Sequence, residues 1–121
     1  MSATVVAVIP DLFFLVKVQA AATHSGITLR TANTPAAAEA ALREGASLLV
    51  IDLNCRELDP IALIRRLKQD PALKSVPVLG FVSHVQADRR REAAEAGCDR
   101  VVARSAFSDK TAELMLETTS A

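Results

Sequence analysis

A chain of 121 residues has the length of one domain, enough to bury a core and too little for two. Half of it is hydrophobic and only 3% aromatic, without Trp or Tyr, so the core has to come from Ala, Val, Leu and Ile plus Phe13, Phe14, Phe81 and Phe107. Fourteen basic residues cancel fourteen acidic ones, which excludes the charge footprint of a nucleic-acid binder or of a protein drawn to an anionic membrane.

In chain order, TVVAVI at 4–9 reads as a first strand, short and rich in β-branched residues. Helical spacing follows over 11–25, with Phe14, Val18 and Ala21 on one inward stripe. Leu12, Phe13, Leu15 and Val16 are apolar in excess of that stripe, and contiguous exposed apolar surface marks a partner site. ITLRTA at 27–32 is the second strand, and 35–44 the second helix, opened by Thr34-Pro35 and closed by Gly45. A capping side chain before a proline at the first helical position loses no hydrogen bond, and a glycine past the end supplies a left-handed closing residue. SLLVID at 47–52 is a third strand whose last residue is a carboxylate. Asp59-Pro60 opens a third helix over 60–69, VPVLGFVS at 76–83 is the fourth strand, and 86–96 is a fourth helix ended by Gly97. Its RRREAAEAG run reads as a solvated face with i to i+4 charge pairs. RVVARS at 100–105 and a helix over 107–118 complete the series. Five strands alternating with five helices predict an α/β domain, a doubly wound parallel sheet with helices on both faces. A single domain is expected over 1–121, and Met1 with the polar ETTSA tail fits a chain close to complete.

Cys55 and Cys98 stand outside any CxxC or Cys/His cluster, so neither reads as a metal ligand, and the expected compartment is reducing and cytoplasmic. No stretch approaches the roughly 18 consecutive apolar residues of a membrane span. The N-terminus lacks the basic start of a signal peptide. Neither a nucleic-acid nor a membrane partner is expected.

In a doubly wound sheet, ligand sites lie outside the carboxyl ends of the strands, where the strand order reverses. That edge gathers Asp11 after strand one, Asp52 at the end of strand three, Ser83 and His84 after strand four, and Arg104 with Ser105 at the end of strand five.

With these residues in place, the sequence resembles the receiver domains of bacterial response regulators, the CheY-like family. The resemblance covers essentially the whole chain and rests on LLVIDLN, on DPALKSVPVLGFVSH and on EAAEAGCDRVVARSAF in combination. It implies a flavodoxin-like (βα)5 fold with strand order 2-1-3-4-5. It implies too that Asp52 stands where the family accepts a phosphoryl group from a histidine kinase. In that family two acids after the first strand help bind Mg²⁺. A Ser or Thr after the fourth strand contacts the phosphoryl oxygens, and a Lys after the fifth pairs with them.

The match is uneven. The acid pair reads Pro10-Asp11, so the implied metal site is Asp11, Asp52 and the main-chain carbonyl of Asn54, weakened by the missing charge. The hydroxyl position falls on Val82, with Ser83 one place later, and alternation along a strand sends Ser83 the other way. Arg104 replaces the lysine, Ser105 the proline after it, and Val101 the aromatic that follows the hydroxyl when the family switches. His84 takes a place where the family's residue affects the access of water to the phosphoryl group. Phosphoryl transfer to a carboxylate needs Mg²⁺ to offset charge on the donor and acceptor oxygens. Arg104 keeps a positive charge, but a planar fork is not an ammonium point charge. Val82 and Val101 offer neither hydroxyl nor aromatic to carry a signal to the face formed by the fourth helix, fifth strand and fifth helix.

Three readings follow. The first is an atypical receiver acting as a signalling or protein-interaction module in a two-component-like pathway. Its partner is a histidine kinase, another signalling protein, or a second copy docked through the first helix or the face just named. The second is a working phosphotransfer receiver, with Asp52 as acceptor and Mg²⁺ as its cofactor, enzymatic at most in its own phosphorylation and dephosphorylation. The third, a small flavin or nucleotide binder, is disfavoured because IPDLFF stands where a glycine-rich phosphate loop should follow the first strand.

Overall fold

The computed structural model describes residues 3–83 and 86–119. Its elements are β1 Thr4–Val8, α1 Leu12–His24, β2 Thr28–Thr31, α2 Pro35–Arg43, β3 Leu48–Asp52, α3 Pro60–Gln69, β4 Val78–Val82, α4 Ala87–Ala96, β5 Arg100–Ala103, α5 Arg104–Asp109 and α6 Thr111–Thr119. The five strands form one parallel sheet in the order β2-β1-β3-β4-β5, as the sequence predicts.

Side chains alternate across a strand, and that alternation divides the core in two. Val5, Ala7, Leu48, Val50, Leu79 and Phe81 face Phe14, Val18 and Ala22 of α1, Phe107 of α5, and Leu114 and Met115 of α6. Val6, Val8, Leu49, Ile51, Val78 and Val82 face Ala38 and Leu42 of α2, Ile61, Ile64 and Leu67 of α3, and Ala93 and Ala96 of α4. β3 and β4 are buried along their whole length, which is why they read as unbroken apolar runs.

The helix boundaries follow local chemistry. Thr34 Oγ1 accepts the Ala37 amide at 3.1 Å and Asp59 Oδ1 accepts the Ala62 amide at 3.1 Å, each ahead of a proline in the first turn. Gly26, Gly45 and Gly97 take φ of 72°, 102° and 111°, so each closes its helix in the region that only glycine enters freely.

Four expectations are corrected. Phe13 is 94% exposed and is not a core residue, because one step along a helix turns it about 100° away from the inward Phe14. The third inward residue of α1 is Ala22 and not Ala21, completing an i, i+4, i+8 stripe with Phe14 and Val18. β5 ends at Ala103, where the ladder with β4 runs out at Val82, so Arg104 and Ser105 open α5 instead of ending the strand. The last helix is two: Lys110 leaves helical ψ (φ −128°, ψ 43°), and the Thr111 hydroxyl bonds the Phe107 carbonyl at 2.7 Å.

Candidate functional site

The strand order reverses between β1 and β3, since β1 is followed by a move to β2 on one side and β3 lies on the other. The crevice at their carboxyl ends is the natural site of such a sheet. Asp11, three residues past the end of β1, and Asp52, the last residue of β3, border it.

Asp11 is first a helix cap. Its Oδ1 accepts the amides of Phe13 at 3.0 Å and Phe14 at 3.2 Å, two donors that the first turn of α1 leaves unpaired. Its Oδ2 accepts from an Arg104 nitrogen at 3.0 Å. The Phe14 amide foremost, and Arg104 after it, lower the Asp11 carboxyl from its ordinary value, against an opposing loss of hydration.

Asp52 is buried, its side chain only 10% exposed. Oδ1 accepts the Asn54 amide at 2.8 Å, and Oδ2 lies 3.7 Å from the second guanidinium nitrogen of Arg104, an ion pair without a close hydrogen bond. Loss of hydration raises the Asp52 carboxyl, and the Asn54 amide and Arg104 do not fully offset it; Asp11 and Glu57 add to the rise. Two neighbouring carboxyls are thereby pushed in opposite directions.

Arg104, the first residue of α5, spans both acids from an aromatic shelf. Its guanidinium carbon lies 4.2 Å from the centre of the Phe14 ring and 5.8 Å from that of Phe81. Phe81 stacks on Phe107 at 5.0 Å, and Phe14 leans on both, so the shelf is the top of the core itself. A planar guanidinium suits such stacking better than an ammonium does.

Asn54 braces the opposite wall. Its Oδ1 accepts the Ser83 amide at 3.0 Å and its Nδ2 donates to Gln86 Oε1, which ties the loop after β3 to the start of α4. Val82 is buried in the face shared with α2, α3 and α4. Ser83 lines a hollow of 410 Å³ with Phe14, Arg104, Ser105 and Ser108, and Asp11, Asp52, Asn54 and Glu57 line a cleft of 370 Å³ to which Arg104 also contributes. His84 lies outside the described residues. Of the apolar residues of α1, Leu12 is 73% and Val16 66% exposed beside Phe13, while Leu15 is half-buried against the sheet and leaves that patch.

The donor set does not fit a divalent ion as it stands. Among the described residues no three His, Cys, Asp or Glu side chains converge on one point. Mg²⁺ asks for about six oxygens in near-octahedral array. Here Asp11 Oδ1 accepts two amides and Asp52 Oδ1 accepts one, and the Oδ2 of each faces Arg104. Cys55 and Cys98 add no soft ligand: both are buried, and burial pushes the Cys98 thiol up to about 11.

The Phe14 and Phe81 shelf and the Gln86 partner of Asn54 have no local signature in the sequence. Only the bulk of the two phenylalanines marks them, and that reads equally as core.

The fold, five parallel strands in the order 2-1-3-4-5 with helices on both faces, is the CheY-like α/β fold. A protein from Chloroflexus aurantiacus assigned as a response regulator superposes with a TM-score of 0.89 over 100% of both chains at 17% identity. The chemotaxis response regulator CheY4 of Vibrio cholerae gives 0.84 over 98% of this chain and 99% of its own at 14% identity. The receiver domain of a sensor histidine kinase from Pseudomonas aeruginosa, whose active-site cleft coordinates a magnesium ion, gives 0.85 over 100% of both chains at 11% identity. No protein-family model and no curated protein sequence matches the chain. No helix among the described residues is long and apolar enough to cross a membrane.

Proposed function

We propose that this chain is an atypical receiver that works as a protein-interaction module in a two-component-like signalling pathway, with no need of phosphoryl transfer to Asp52. The observation that carries this reading is the Arg104 bridge: a cation already spans the Asp11 and Asp52 carboxylates from a stacked position on Phe14. The end of β4 supports it, since Val82 brings a buried methyl pair to the position where a hydroxyl would be needed. A histidine kinase or another signalling protein is the partner that the fold suggests. The first two turns of α1, with Leu12, Phe13 and Val16 exposed, are its docking face.

A second reading, phosphotransfer from a histidine kinase to Asp52, is favoured by one observation. Asp52 ends the central strand beside a cleft of 370 Å³, where the fold puts reacting groups. Labelled acetyl phosphate with millimolar Mg²⁺ separates the two. No alkali- and hydroxylamine-labile label on the purified protein is the expected result. Label that appears in the wild type and is lost in Asp52→Asn would establish phosphotransfer and overturn the first reading.

A further inference from the structure

We infer that Arg104 is the resident cation of this site: its guanidinium holds the two carboxylate oxygens that a divalent metal would need, so metal and Arg104 exclude each other. The inference deepens the interaction-module reading and rests on it for its biological meaning, but its geometry stands apart.

Four carboxylate oxygens belong to Asp11 and Asp52, and two of them already accept backbone amides. Asp11 Oδ1 takes two α1 amides and Asp52 Oδ1 takes the Asn54 amide. The remaining pair, both Oδ2, face two different nitrogens of one guanidinium, at 3.0 and 3.7 Å. Among the described residues no third acid joins them at one point. Glu57 lines the same cleft, yet its Oε1 is turned to the Arg56 amide at 3.2 Å and the Cys55 thiol at 3.8 Å.

The guanidinium is also anchored from behind. It lies 4.2 Å over Phe14, a residue of the buried α1 stripe, and Phe14 packs against Phe81 at 5.2 Å. A lysine ammonium on a flexible stem would give way to a metal easily. A stacked fork reaching two acids at once gives way less easily, because leaving both acids also means leaving the ring. Against the family pattern the site has one negative charge fewer, at Pro10, and its positive charge sits on a planar fork stacked on Phe14 instead of on a flexible ammonium.

The test is a Mn²⁺ titration, followed by water-proton relaxation, of the full chain as wild type, Arg104→Ala and Arg104→Ala/Asp52→Asn. The wild type should show no saturable site at millimolar Mn²⁺. Arg104→Ala should gain a site about tenfold or more tighter, since a unit charge beside the ion is gone and two oxygens are freed, and the double variant should lose it. Should Arg104→Ala fail to fold by circular dichroism, Arg104→Lys serves in its place and should still bind Mn²⁺ more tightly than the wild type. A wild-type site of submillimolar affinity, or no gain in the folded variant, overturns the inference. Asp52 labelling from a phosphodonor in a wild type that takes no Mn²⁺ would sink the interaction-module reading while leaving this one intact.

Discussion

Each end of the sheet is held by a buried or half-buried cation, and the two are satisfied in different ways. At the amino-terminal end, Lys68 of α3 donates to the carbonyls of Lys74 and Val76 at 3.3 and 3.0 Å and to Asp99 Oδ2 at 2.8 Å, and the same Asp99 oxygen takes the Val78 amide at 2.8 Å. All three ammonium hydrogens find acceptors, and the acid that answers them is half exposed. At the carboxyl-terminal end, Arg104 is shared between an exposed acid that it stabilises and a buried acid that stays short of hydration. The first arrangement is a staple. The second leaves one buried carboxylate whose lost hydration is not fully offset.

The comparison breaks most sharply at Gly97. It sits at φ 111° with a would-be Cβ only 2.7 Å from Lys68 Cγ, so Gly97→Ala strains the backbone and dislodges the staple together. A loss of about 2 kcal/mol or more in urea unfolding is expected. Lys68→Met tests the staple alone. With two carbonyls and part of Asp99 left to water, the expected loss is about 1–2 kcal/mol, and a neutral result would show that this cation holds nothing.

The smallest effect is the most telling about the other end. Because Asp52 is raised, the folded state keeps its proton longer than the unfolded chain does. Stability therefore falls as pH climbs from the ordinary carboxylate range through the raised value. Asp11, lowered, works in the opposite sense, and its contribution is lost only as pH falls through its depressed value. Asp52→Asn removes the first effect and keeps an oxygen for the Asn54 amide. Urea unfolding should find the variant more stable than wild type at pH 7, with the gap closing in acid. A less stable variant at pH 7 would make the Arg104 pair a staple like the one at Lys68.

Much of this frame could be read from the chain. Thr34-Pro35, Asp59-Pro60 and the three closing glycines announced helix ends because caps act over three or four residues. The apolar runs announced buried strands because β3 and β4 have no solvent face. The site was legible as a list of strand-end residues and not as an arrangement. Asp11 and Arg104 stand 93 positions apart, and Asn54 meets the Ser83 amide 29 positions away. No local pattern encodes such pairs.

Phe13 and Phe14 show where the line falls. The sequence by itself determined the α/β alternation, the strand order that a receiver-like pattern implies, and the carboxylate at the end of the central strand. Propensity, capping and period act between near neighbours and need no fold to be read. Only the tertiary structure decided that Phe14 would carry a guanidinium while Phe13 faces water, and that Arg104 would stand between two acids. Those outcomes depend on which side of the sheet each side chain meets and on how much water it loses there, and both are set by packing across the whole chain.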